Sequence, residues 1–115
     1  MLPGGGDYPL IHNNELAELN VSVVAKGLNN DHIFRITSFG ICEWNKLIFD
    51  MMGQTAAARS TEMGEINAWQ VFRINTDSPE YAWLNWACII GQERLIYQDG
   101  RMAKTHMKLF QFLVK

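Results

Sequence analysis

Cysteine is scarce in this sequence: of 115 residues only Cys42 and Cys88 are thiols, and neither stands in a CxxC. The three histidines, His12, His32 and His106, form no HxH, HExxH or HxxxH pair. A zinc site and a disulfide framework are therefore not expected, and the two thiols are read as reduced and buried. Charge of one sign is also missing. Ten Lys+Arg stand against twelve Asp+Glu, for a formal charge of -2, and no basic stripe interleaves with the aromatics, which argues against nucleic acid and anionic membrane as partners. Long apolar runs are absent too. The longest, such as Leu47-Ile48-Phe49 and Ala87-Cys88-Ile89-Ile90, fall far short of the roughly 20 residues of a membrane span. The start of the chain has no charged segment followed by an apolar one, so no secretory signal is expected and a cytoplasmic setting follows. With no GK[ST] and no GxSxG, neither a phosphate cradle nor a serine nucleophile elbow is indicated.

What is present is apolar and aromatic. A hydrophobic content of 48% with 11% aromatics supports one core, hence a single domain over residues 1–115. Alternation predicts strands over Leu16–Lys26, Ile33–Ile41 and Ile66–Ile74, with Gly27-Leu28-Asn29-Asn30-Asp31 as a hairpin connection. From Glu43 the period changes. Trp44, Leu47, Ile48 and Met51 recur at helical spacing, and Gly53 is placed to end that helix. Residues 54–65 are small and polar and read as a mobile connection or lid. A strand is expected over Tyr81–Gly91, then a polar stretch with an Asp99-Gly100 hairpin signal, and a last strand over Thr105–Val114. The expected architecture is mainly β: a small antiparallel β-barrel with one short α-helix.

The expected Tyr81–Gly91 strand is almost wholly apolar but contains one amide, Asn85, which needs a partner if buried. Alternation places Trp83 and Asn85 on one face, taken as the barrel interior, and leaves an apolar reverse face for the helix or a second subunit. Asn85 could equally bond a neighbouring loop and act structurally. Asp7, after three glycines, could carry a carboxylate into the barrel mouth, or cap its own turn. Arg35 and Arg73 sit within strands, where each is either solvated or holds an anion. The four indoles read as core or as the lining for a planar ligand.

Leu2-Pro3-Gly4-Gly5-Gly6-Asp7-Tyr8, taken with Pro79-Glu80-Tyr81-Ala82-Trp83-Leu84-Asn85, resembles the UPF0311 family, also known as the DUF3237 domain. Leu16-Ala17-Glu18-Leu19-Asn20, Asn29-Asn30-Asp31 and Gly40 look similar as well. The resemblance implies a lipocalin-like barrel with an internal cavity, commonly oligomeric, and no established reaction; it singles out Gly5, Gly6, Asp7, Trp83 and Asn85. The chain departs from the family in three ways. It starts at the glycine loop, where the family usually has a leading segment long enough for two more strands, so that subunits complete each other, edges pair in a dimer or the natural product is longer; it has Tyr8 where tryptophan is usual, and it has Asn75 at an acidic position.

These readings converge on a cofactor-independent isomerase, cyclase or dehydratase acting on a hydrophobic, polyketide-like or terpenoid small molecule. Asp7 would move a proton, Arg35 and Asn85 would hold a developing oxyanion, and Tyr8, Trp69, Arg73, Tyr81 and Trp83 would shape the pocket. No metal and no cofactor is expected, and a homo-oligomer is. The alternative is a carrier with the same cavity and no chemistry.

Overall fold

The computed structural model describes residues 5–7, 9–13 and 15–113. Its strands are β1 (Gly6–Asp7), β2 (Leu10–His12), β3 (Leu16–Lys26), β4 (Ile33–Glu43), β5 (Ala68–Thr76), β6 (Cys88–Gln98) and β7 (Arg101–Phe112), with one α-helix, α1 (Lys46–Met52). All strand pairs are antiparallel, in the order β1-β3-β4-β5-β6-β7, with β2 also on β3.

The two hairpins expected from the sequence form where turn chemistry directs them. Gly27 donates its N–H to the His32 carbonyl at 2.9 Å and closes β3 onto β4. Asp99 and Gly100, at φ 54° and 77°, turn β6 into β7, a conformation that Asp and Gly adopt at low cost. Asn45 caps α1 by accepting the Ile48 N–H at 3.2 Å. Gly53 ends the helix as expected, but at φ -81°, so its backbone is right-handed and glycine's freedom is not used there.

Among the described residues the sheet curls but does not close, so it is barrel-like only approximately. Closure would require β7 to hydrogen-bond to the β1/β2 edge, and those strands are only two and three residues long. The expected barrel is therefore an open, strongly curled sheet. Its inner face carries Ala17, Leu19, Cys42, Ala68 and Leu95, onto which α1 packs Ile48 and Met51. Each of those two helix side chains is essentially fully buried and contributes about 1.5–3 kcal/mol by leaving water.

Two further expectations fail for identifiable reasons. Residues 60–61 are a fixed strap, not a lid. Thr61 is fully buried, donates its N–H to the Leu95 carbonyl at 3.0 Å and accepts the Leu95 N–H on its hydroxyl at 2.9 Å. Ser60 accepts the Tyr97 N–H at 2.9 Å. The strap thereby occupies the flank of β6 beyond the point where β5 begins. The expected Tyr81–Gly91 strand is instead a 3-10 helix over Ala82–Trp86 followed by β6, because Leu84 donates to the Tyr81 carbonyl and Ala87 to the Leu84 carbonyl. The alternation of Trp83 and Asn85 is lost with the strand. Among the described residues, no helix is long and apolar enough to cross a membrane.

Candidate active site

The concave face of the sheet holds a cavity of about 420 Å³ that reaches from Asp7, Pro9 and Ile11 at one sheet edge to Met102, Thr105 and Met107 at the other. Most of its lining is apolar. Its chemistry lies in two residues from adjacent strands, Gln70 on β5 and Glu93 on β6, both buried. Alternation explains their position. Ile89, Gly91, Glu93 and Leu95 fall on one side of β6, as Ala68 and Gln70 do on β5, so the side that carries the core also carries these polar groups.

A relay runs through them. The Ser38 hydroxyl donates to the Gln70 amide oxygen, and the Gln70 NH₂ donates to Glu93 Oε1. The direction is fixed by chemistry, since only the amide oxygen accepts and only its nitrogen donates. Oε1 is thus held as an acceptor, so a proton bound by this carboxyl sits on Oε2. Burial is the main cause that pushes the Glu93 carboxyl above its ordinary range; the Gln70 hydrogen bond opposes it, and the Asp7 carboxylate adds to the upward shift.

Asp7 lines the same cavity from β1. It pairs with Val21 across the ladder, is exposed, and accepts the Asn20 N–H on Oδ1 at 3.2 Å. Gly5 lets this edge lie close, because a Cβ there would stand 2.9 Å from the Ser22 carbonyl oxygen. Cys42 also lines the cavity. Its thiol is pushed up to about 11 by burial and by the neighbouring Glu93, which leaves it a packing residue rather than a nucleophile. Cys88, expected to be buried, is exposed, and both thiols are free. Among the described residues no three His, Cys, Asp or Glu side chains cluster as metal ligands would.

The other residues expected at the site lie elsewhere. Arg35 and Asn85 line a separate recess with Ile33, Asn75, Thr76 and Asp77, so the structure does not bring them to Asp7. Arg35 alternates with the inward Phe34 and Ile36 and is exposed. Trp69 and Arg73 share the outer side of β5, opposite Gln70. Tyr81 meets the edge of Phe34 at 5.8 Å, and Trp83 is 49% exposed. Neither lines the cavity. Tyr8 lies outside the described residues.

Asn85 has a structural explanation. It accepts the Thr76 N–H at 3.0 Å and donates to the Thr76 and Ala82 carbonyls, each at 3.0 Å, tying the 3-10 helix to the end of β5. Asn85→Ala is expected to cost about 1–3 kcal/mol, since it strips partners from part-buried backbone groups. Urea denaturation measures that loss, and activity per folded molecule should be unchanged.

Sequence reasoning missed Ser38, Gln70 and Glu93. The signal was the alternation itself: continued past Gly91, it puts Glu93 on the side of Ile89 and Leu95.

The family model described as a protein of unknown function, DUF3237, matches residues 1–111. Over all 115 residues the chain is 97% identical to a protein of Penicillium roqueforti (strain FM164) named "PR-toxin biosynthesis cluster protein 7", and it spans 62% of that relative's length. The crystal structure of a conserved protein of unknown function from Rhodopseudomonas palustris shares the fold. It superposes with a TM-score of 0.77 at 20% identity, over 97% of this chain and 68% of that one.

Proposed function

The chain belongs to the DUF3237 family, and from that premise and its cavity we propose that it carries the acid–base site of a cofactor-independent enzyme of secondary-metabolite biosynthesis. The reaction is an isomerisation, cyclisation or dehydration of a hydrophobic small molecule. The observation that carries this reading is a buried carboxyl, Glu93, kept toward its neutral form at the wall of an apolar cavity that Asp7 also enters. Two carboxyls in one cavity, one buried and one exposed, divide into a proton donor and a proton acceptor.

In the isomerisation Glu93 gives its Oε2 proton to a carbonyl oxygen of the substrate, while Asp7 takes a proton from the adjacent carbon, giving an enol conjugated with a C=C bond. The enol that results collapses when Asp7 returns its proton to a different carbon and Glu93 recovers its own, so both residues end as they began. Gln70 and Ser38 position the acid. The cavity volume lies within the usual range for small-molecule sites. The relative's place in a toxin biosynthesis cluster supports a secondary metabolite as substrate. The free thiols of Cys42 and Cys88 fit a cytoplasmic setting.

Retention of ligand without chemistry is favoured by one observation, the predominantly apolar lining. Native mass spectrometry of the purified protein would find the co-purifying ligand. Incubation of that ligand with the protein in D₂O then decides between the two readings. Deuterium uptake or an altered product supports the enzyme. Recovery of ligand unaltered and unlabelled would sink it in favour of the carrier.

A further inference from the structure

The concave cavity is one-sided in its charge. Its lining carries two carboxyls, Asp7 and Glu93, and among the described residues no lysine, arginine or histidine. Strand alternation is the cause. Arg35 on β4, Arg73 on β5, Arg94 on β6 and Lys104, His106 and Lys108 on β7 all stand on the convex side, opposite the core positions. Off the sheet, Lys46 of α1 pairs with Asp50 at 2.7 Å and Arg59 with Glu65 at 2.8 Å. Backbone donors do not replace these cations. The N–H groups of the ladders lie in the plane of the sheet and do not point out from its face, so the donors on the cavity wall are uncharged side chains such as the Thr105 hydroxyl.

From this we infer that the substrate is uncharged: a hydrophobic ketone or aldehyde that bears no carboxylate, phosphate or other anionic group. The inference rests on the acid–base reading of this cavity and narrows its substrate. A carbonyl oxygen is satisfied by the one donor that the Glu93 acid supplies. A carboxylate or phosphate entering the same space would lose its water, meet no cation and stand in one cavity with the Asp7 carboxylate. An ammonium would find a partner in Asp7, but it would also favour ionised Glu93 and so remove the acid.

The same exclusion places the site in a reaction sequence. A diphosphate ester, or a thioester to a phosphate-bearing carrier, brings the charge that this wall rejects. The reaction that supplies the substrate must therefore already have removed such a group and left a free carbonyl compound.

Three probes that share one hydrocarbon body separate the charges: 2-acetylnaphthalene, 2-naphthoate and the ammonium form of 1-(2-naphthyl)ethylamine. Isothermal titration calorimetry of the 115-residue chain near neutral pH should find the ketone bound, the naphthoate at least about 100-fold weaker, and the ammonium weaker than the ketone. Asp7→Asn should strengthen naphthoate binding about tenfold and shift the ketone by less than about threefold. Thr105→Lys, at an exposed position of β7, should strengthen naphthoate binding as well, with circular dichroism reporting the fold of both variants. Naphthoate or ammonium bound as tightly as the ketone overturns the proposal. So does a ketone that fails to bind up to about 1 mM, or naphthoate binding that neither variant improves. Turnover enters none of these measurements, so the two readings fail separately. Selective binding of the ketone with full turnover in Glu93→Gln would keep the charge rule and remove the acid, whereas turnover lost in Glu93→Gln with binding blind to charge would keep the acid and overturn the charge rule.

Discussion

Glu93→Gln is expected to lower turnover by a factor of 10² to 10⁴, the span that one positioned general acid contributes, with little change in ligand affinity. Glutamine keeps the shape of the side chain and can still bond Gln70, but it has no proton to give. The comparison with Gln70→Leu separates the acid from its support. That change removes the Gln70 amide, which anchors Oε1 and works against the upward shift of the carboxyl, so it should move the pH profile of turnover to higher pH instead of abolishing activity. Equal turnover for wild type and Glu93→Gln would remove Glu93 from the mechanism.

The same carboxyl makes stability depend on pH. Its value in the folded chain lies above the ordinary 4.5, so between the two values the folded state holds a proton that the unfolded state has lost. Stability therefore falls as pH rises through that window. The contribution is fully present below about pH 4.5 and is lost once pH passes the raised value. Urea midpoints measured from pH 4.5 to pH 9 should decline for the wild type, and the part due to this group should vanish in Glu93→Gln. A decline of the same size in the variant would assign it to other groups.

Gly40→Ala is expected to destabilise the fold by about 3 kcal/mol or more, a large share of the 5–15 kcal/mol that a domain of this size possesses. A methyl group at this position would run into the Trp69 carbonyl oxygen and the Gln70 Cα, both backbone atoms that cannot rotate away. At Gly91 a Cβ would stand 2.8 Å from a carbon of the Phe72 ring, and that ring can give, so Gly91→Ala should cost less. Gly100 sits at φ 77° with open space around it, and the cost there is about 1 kcal/mol of backbone preference. Urea unfolding of the three variants should rank them Gly40, Gly91, Gly100. Since Gly40 pairs with Gln70, its replacement should also loosen the Ser38–Gln70–Glu93 relay, visible as a further loss of turnover in whatever fraction folds.

Much of the architecture was legible because it is set by local rules. Alternation over Leu16–Lys26 and Ile33–Ile41, the change to helical spacing at Trp44, and the Asp99-Gly100 turn are each decided within a few residues, and the structure carries all of them. The 3-10 helix was not legible. The sequence from Ala82 to Trp86 is apolar enough for a strand, and the bonds from Asn85 to Thr76, nine residues away, hold it in the 3-10 turn that its local backbone bonds close. The candidate site was half legible. Asp7 stood out as a carboxylate beside glycines, whereas Glu93 lay in a stretch that composition alone marks as polar loop.

The sequence by itself determined the fold class and showed no recognisable metal or nucleotide motif, because these rest on spacing and composition, while the segments Leu2–Tyr8 and Pro79–Asn85 carried the resemblance to the family. Tertiary structure alone decided which polar residues share a space. Burial and proximity are properties of β5 beside β6 and of β1 across the mouth of the sheet. No local pattern reports that Gln70 and Glu93, 23 residues apart, meet in a buried wall while Arg35 and Asn85 face a different recess.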